Sequence, residues 1–444
     1  MNQHENQRFH DNAVDLLSEA RKVLEENDRG RYFVPTSSGL YPAQWNWDSC
    51  LTALGVSVFD PARAWAELHS LFEAQWDDGM VPHIVFHGTD SSYFPNAEVW
   101  GVRRNKRTSG ITQPPVAATV VRSLVERSTD GSARRHLGKL LPKILRWHEW
   151  FYSARDPQGT GLVAIIHPWE SGMDNSPVWD GPMSRIPTST AIAHLRKDTT
   201  FVSAIERPAD DDYCRYLYLV ECFRDRGYDS ASLYEDSPFL VADVGFNSIL
   251  TRANQDLAYL LRLIGREKEA IRVDEMSRKA RTGLETLWNS HTARYHSFDV
   301  RAGLRLEPTG IGSLLPIFST PNAVTEHPEL LDLISTWLGQ TKFGLVSFDP
   351  FDHQFDTKRY WRGPIWLVTN WMIANGLMLS GFDDVARKIQ LQSLALVEEA
   401  GFAEYFAPVD GRGLGGKRFS WTASLYLYQR TMLAFPLVSG AIPR

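Results

Sequence analysis

Apolar positions three and four apart dominate this chain. Between 245 and 266, Phe246, Ile249, Leu250, Ala253, Leu257, Leu260, Leu261 and Ile264 share one face of a helical period, which predicts a helix with that stripe against a core. The same spacing predicts helices near 11–28, 60–77, 114–128, 136–155, 211–226, 267–290, 326–339, 364–381, 384–400 and 420–434. Breaks such as "SGFDD" at 380–384 and "GREKEA" at 265–270 separate them. Alternating strand patterns are rare. "GLVAII" at 161–166 and "GLVSFDP" at 344–350 suit small hairpins within loops, too few for a sheet. An all-α chain is expected, and with no Pro- or Ser-rich linker, residues 1–444 read as a single domain. Helical hairpins closed into a ring would gather the polar, aromatic-rich connections around a pocket at one end.

Composition narrows the function. Hydrophobic residues make up 43% and charged residues 23%, the balance of a chain with a large core. The 47 Lys and Arg against 53 Asp and Glu give a net −6 without long runs of either sign, so neither nucleic acid nor an anionic membrane is an expected partner. No apolar run approaches a membrane span. The polar start MNQHENQRFH has no signal or lipidation motif, and a cytoplasmic location is the default expectation. Cys50, Cys214 and Cys222 form no CxxC or Cys/His pattern and read as small buried apolar residues. No cofactor and no metal site is expected, and self-association is left open. The unusual count is aromatic: 15 Trp, 15 Tyr and 22 Phe. Such rings either fill a large core or, set beside polar groups, stack on the C–H faces of a sugar.

Four stretches carry candidate chemistry. In "GLYPAQWNWDSC", Tyr41, Trp45, Trp47 and Asp48 crowd ahead of a helix beginning near Leu51; Asp48 is either its N-cap or a ligand group. His83 beside Pro82 is either a satisfied structural histidine or a pocket residue, with no second histidine at helical spacing to form a metal site, and Gln113 stands before two prolines at a helix entrance. In "HPWESGMDNSP", Pro168 and Gly172 forbid a continuous helix, so Trp169, Glu170 and Asp174 lie on a turn. Two acids there need a reason: one can fasten the turn while the other faces a ligand. Finally, Tyr360, Trp361 and Trp366 bracket Arg362 and Gly363, and Glu404 sits among aromatics in "GFAEYF", a setting that raises a carboxyl pKa unless the acid is simply at the surface. "DDD" at 210–212 reads as a helix start. Two carboxyls with aromatic platforms are what glycosidic hydrolysis needs, and no GxSxG, GxGxxG, Walker or HExxH pattern competes.

"YPAQWNWDS", "VPH", "SGITQPP", "HPWESGMDNSPVWD", "YWRGPIW", "GFAEYF" and "FSWTA", in this order from 41 to 423, resemble glycoside hydrolase family 63, above all its short bacterial hydrolases of glucosylglycerate and mannosylglycerate. The resemblance implies an (α/α)6 barrel, a toroid with small loop hairpins, and hydrolysis with inversion. It implies Asp174 as general acid and Glu404 as the base that activates water. By the same resemblance Tyr41, Trp45, Trp47, Asp48, Gln113, Trp169 and Trp366 hold the sugar, with His83 beside them. Tyr93, Arg207, Tyr213, Tyr360 and Trp361 face a glycerate-type aglycone. Arg207 carries most of that inference, because a guanidinium fork suits a carboxylate; its other reading is a surface arginine paired with Asp210 or Asp211. Residues 183–206 have no clean period and read as a lid over the aglycone. The expected substrate is a small α-glycoside of a hydroxy acid, glucosylglycerate ahead of mannosylglycerate. The rival readings are an α-glucosidase or trehalase-like hydrolase of neutral oligosaccharides and a non-catalytic sugar-binding protein.

Overall fold

The computed structural model describes residues 3–88, 92–128, 131–188, 193–320 and 322–434. The long helices stand where the apolar stripes predict them: Gln3–Asn27, Pro61–Phe72, Ala117–Arg127, Ser132–Arg155, Asp210–Asp225, Val244–Leu263, Glu267–Glu285, Glu329–Leu338, Leu367–Leu379, Asp383–Ala400 and Ser420–Ala434. Local chemistry sets several of their ends. Asp243 accepts the Phe246 N–H at 2.8 Å and Asp60 the Arg63 N–H at 3.0 Å, with Pro61 supplying the first helical position. "DDD" opens a helix, as its charge suits the positive end of the dipole.

The departures come from distant partners. The helix expected near Leu51 begins at Asn46, because Gln113 Oε1 accepts the Trp47 N–H at 3.3 Å and supplies the cap that Trp45 lacks. Asp48 is therefore a first-turn residue and not the cap. The helix expected from 364 begins at Leu367, since Ile365 exchanges backbone hydrogen bonds with Phe406 at 2.8 and 3.0 Å. The stripe drawn to 290 stops at Glu285, and Trp288–Asn289 pairs instead with Arg294–Tyr295.

The two expected hairpins are not hairpins, and a sheet does form. Ala164–Ile165 pairs with Val241–Ala242, which pairs with Phe298–Asp299, which pairs with Leu304–Arg305. In 344–350, Val346 bridges Ile365 and Phe348 bridges Gly310. Such short segments satisfy their backbone groups wherever the fold brings a partner, and alternation alone does not name it. A local hairpin does occur at Ala403–Phe406 and Gly413–Lys417.

The helices pack in two layers. Asn46–Val56 packs on Ala117–Arg127, then come Val244–Leu263, Pro316–Ser319, Leu367–Leu379 and Ser420–Ala434, which returns to Asn46–Val56 and closes the circuit. Outside it, Gln3–Asn27 lies on Ser420–Ala434, Pro61–Phe72 on Asn46–Val56, Ser132–Arg155 on Ala117–Arg127, Glu267–Glu285 on Val244–Leu263 and Asp383–Ala400 on Leu367–Leu379. Every residue of Asn46–Val56 is buried, as an inner helix requires, whereas Glu267–Glu285 buries a single stripe. No described helix is long and apolar enough to cross a membrane. Cys50 and Cys214 are buried as expected, and Cys222 is half-buried.

Candidate active site

Connections entering the inner helices meet in a cavity. Trp45, Trp47 and Asp48 come from the start of Asn46–Val56, Gln113 from the turn before Ala117–Arg127, and Trp421 from the start of Ser420–Ala434. Tyr41, His83, Tyr93, Trp169, Asp174, Arg207, Tyr213, Tyr360 and Glu404 complete the expected lining. Phe94, Asp198 and Phe419 also line it and were not foreseen; Asp198 stood within "HLRKDTT", a loop without a period to mark it. Among the described residues no three His, Cys, Asp or Glu side chains gather as a metal set.

Trp361 and Trp366 depart from expectation, since neither lines the cavity. They stack on each other with centroids 3.9 Å apart and planes 3° from parallel, and both are buried. Trp366 also stacks on Tyr405 and donates Nε1–H to the Tyr360 carbonyl at 3.1 Å. An indole covered on both faces has none left for a sugar. The pair forms a layer behind Tyr360 instead.

The two acids of "HPWESGMDNSP" separate cleanly. His167 Nδ1 accepts the Trp169 N–H at 3.0 Å, Pro168 starts a single 3-10 turn, and Gly172 ends it at φ +71°. A Cβ on Gly172 would lie 2.7 Å from the Trp47 ring, so only glycine allows this approach. Glu170 is 1% exposed and lies outside the cavity lining. Its Oε2 accepts the Ile166 N–H at 2.8 Å, and Oε1 accepts the Thr112 N–H at 3.2 Å and Arg155 Nη2 at 3.4 Å. It fastens the turn to the segment that carries Gln113. Asp174 is half-buried and opens onto the cavity; its carbonyl accepts the Tyr216 hydroxyl at 2.9 Å. Desolvation by the walls pushes its carboxyl up to about 7, against Arg207 and with the help of the Glu404 charge.

Glu404 is 2% exposed and fully engaged. Oε1 accepts the hydroxyls of Tyr41 at 3.1 Å and Tyr360 at 3.2 Å, and Oε2 accepts the Gly416 N–H at 2.8 Å. Neighbouring Gly415 sits at φ +69°, where a Cβ would meet Oε2 at 2.5 Å. Burial raises the carboxyl above the ordinary range, while Arg207, the Gly416 amide and the two hydroxyls oppose that rise. The surface reading of Glu404 is ruled out by this burial. Asp48 is buried too, and desolvation, then the charges of Glu404 and Asp174, hold its carboxyl well above its usual range.

Arg207 is buried and pairs with neither Asp210 nor Asp211. Its Nε donates to Asp198 Oδ2 at 2.9 Å, Nη1 donates to the Tyr41 hydroxyl at 2.8 Å, and Nη1 stands 3.8 Å from Glu404 Oε1. Its guanidinium carbon lies 4.3 Å from the Tyr360 ring centre. His83 follows its pocket reading: it lines the cavity, and although its main chain donates to Ile111 and accepts from Asn46, its buried imidazole Nδ1 has no protein partner, so it is not the satisfied structural histidine of the other reading. Burial, with His167 nearby, keeps its imidazole well below the ordinary pKa and hence neutral.

Within the span expected as a lid, residues 189–192 lie outside the described residues. The described part includes single 3-10 turns at Ala193–Leu195, Asp198–Thr200 and Ala204–Glu206. It is tied down at Glu206, whose carbonyl accepts the Tyr405 hydroxyl at 2.6 Å and whose Oε2 accepts the Gly415 N–H at 2.9 Å.

Residues 41–422 match the model of the mannosylglycerate hydrolase MGH1-like glycoside hydrolase domain. The chain is 46% identical to a mannosylglycerate hydrolase of Thermus thermophilus over 92% of its own length and 99% of the relative's. It is 33% identical to a glucosylglycerate hydrolase of Mycolicibacterium hassiacum, over 93% and 97%. The crystal structure of a GH63 mannosylglycerate hydrolase from Thermus thermophilus in complex with Tris and D-glycerate superposes with a TM-score of 0.90 at 45% identity, covering 94% of this chain and 100% of that one. The chain belongs to this family and is a glycoside hydrolase.

Proposed function

We propose that this member of the mannosylglycerate hydrolase family cleaves α-glycosides of glycerate with inversion, Asp174 acting as general acid and Glu404 as general base. The observation that carries the reading is the convergence of these two carboxyls and Arg207 on one cavity, although the acids stand in segments far apart along the chain. Asp174, with its carboxyl pushed up to about 7 and its face open to the cavity, is partly protonated at neutral pH and can give that proton to the departing glycosidic oxygen. Glu404, held by three hydrogen-bond donors and by Arg207, takes the proton of the water that attacks the opposite face of the sugar. Inversion needs room for that water between the two carboxyls.

Trp45, Trp47, Trp169, Asp48 and Gln113 form the sugar end, where indole faces meet C–H surface and the carboxyl and amide meet hydroxyls. Tyr93, Arg207, Tyr213 and Tyr360 form the aglycone end, where a cation favours an acid over a neutral aglycone. Of the segment expected as a lid, the described part brings Asp198 to that end. We read the whole chain as one (α/α)6 toroid, a reading supported by the closed inner circuit and by a family match from 41 to 422. The relatives at 44–46% identity are named as mannosylglycerate hydrolases and the glucosylglycerate hydrolase stands at 33%, which moves mannosylglycerate ahead of glucosylglycerate as the substrate.

The test is turnover of both glycerates and of a neutral disaccharide, with the first-formed anomer followed by proton NMR. The reading expects a β-configured free sugar and a marked preference for the glycerates. A first-formed α-anomer, or equal rates on the neutral disaccharide, would overturn it.

A further inference from the structure

Arg207 lies between two carboxylates. Asp198 holds its Nε at 2.9 Å, while Glu404 waits 3.8 Å from Nη1, beyond hydrogen-bond length. Asp198 is itself fixed. Arg196 donates Nε to Oδ1 at 2.6 Å and Nη2 to Oδ2 at 2.9 Å, a two-pronged grip, and lays its guanidinium 4.5 Å from the ring centre of Tyr213. Asp198 and both arginine side chains are buried. Burial works to raise the Asp198 carboxyl, but the two guanidiniums overcome it and hold it at about 2, so it stays charged throughout the working range. The loop carrying it is braced on the other side, where the Phe201 ring packs over Gly39, two residues before Tyr41.

We infer that Asp198 is a positioning residue for the reaction: by holding Nε of Arg207 it keeps the guanidinium from closing onto Glu404 and leaves it in the cavity wall, where the carboxylate of an acidic aglycone would meet it. The physical reason is competition. A buried guanidinium seeks a carboxylate, and with Asp198 neutralised the nearest one is the base. Collapse would withdraw the cation from the aglycone end and deepen its hold on Glu404. Arg196 acts one step further back, as the clamp on Asp198.

This inference rests on the reading of Arg207 and Glu404 given above. The experiment compares the wild type with Asp198→Asn and Asp198→Glu. Each is assayed from pH 4 to 9 on mannosylglycerate and on mannosylglycerol, its neutral counterpart, with melting temperatures taken alongside. Asp198→Asn is expected to lower the ratio of kcat/KM on the charged over the neutral substrate roughly tenfold, chiefly through KM. It is also expected to move the acid limb of the profile to lower pH, because a closer cation favours ionised Glu404. The other groups around Glu404, namely Tyr41, Tyr360, the Gly416 amide, Asp174 and Asp48, are the same in all three proteins. Asp198→Glu, which keeps the charge, recovers most of the ratio. An unchanged ratio and limb in Asp198→Asn overturns the inference, as does an equal loss on both substrates with an unshifted profile. A wild type that does not favour the charged substrate refutes the glycerate reading instead; the acid limb then still decides the role of Asp198 on whichever glycoside is cleaved.

Discussion

The tryptophan wall and the arginine wall of the cavity are held by different forces. Trp45, Trp47 and Asp48 sit at the start of a helix buried along its whole length, with Gln113 capping it from across the cavity and Gly172 packed beneath Trp47. Nothing there can shift without breaking helix or core. The arginine wall is built from a loop with single-turn helices, fastened by ion pairs of Arg196, Asp198 and Arg207 and by Glu206 on the Glu404 hairpin. Phe201 and Ile205 on this loop are 43% and 50% exposed, and of its described apolar side chains between 193 and 206 Val202 is the buried one, so apolar burial holds it at one point. Packing fixes shape, and shape suits a sugar ring common to many glycosides. Ion pairs fix charge at lower cost in rigidity, which suits the acidic aglycone proposed for this end.

Several changes would break or sharpen this contrast. Removing either of the two acids proposed as catalytic, by Asp174→Ala or Glu404→Ala, should leave the walls standing while lowering kcat by about 10²–10⁴-fold or more on every substrate, with an unchanged circular dichroism spectrum as the control. Loss at the tryptophan wall should be blind to the aglycone. Asp48→Asn is expected to lower kcat/KM on the order of 100-fold, alike for glycerate and neutral glycosides. Loss at the arginine wall should depend on it: Arg207→Lys, which keeps charge but not the fork, should cost about tenfold on glycerates and less on neutral glycosides. If both substitutions act alike on both substrates, the division of labour fails. The smallest effect is a shape. As the proposed general acid Asp174 must be protonated, and with its carboxyl at about 7, kcat/KM should fall as pH rises through that value and recover below it, until Glu404 protonates on the acid side.

A fifth test separates the two acids of the "HPWESGMDNSP" turn. Glu170→Gln should leave the pH profile in place yet destabilise the protein by about 3–5 kcal/mol, because Arg155 would be left buried beside a neutral partner. Chemical denaturation reads this directly.

By itself the sequence determined the elements that repeat and the groups that carry chemistry. A helical period imprints itself on the chain, so most long helices were legible, and motifs such as "ESGMDNSP" and "GFAEYF" named the two acids and much of the aromatic lining. What it could not contain was any relation between distant segments. That Gln113 caps the helix of Trp47, that Ile365 joins Phe406 and delays a helix, and that Trp361 and Trp366 cover each other's faces were decided only when the ring closed. The same holds for Asp198, an ordinary loop aspartate until folding sets it between two arginines. Local periodicity follows from backbone geometry, which every short stretch carries, whereas burial and ion pairing belong to the packed whole.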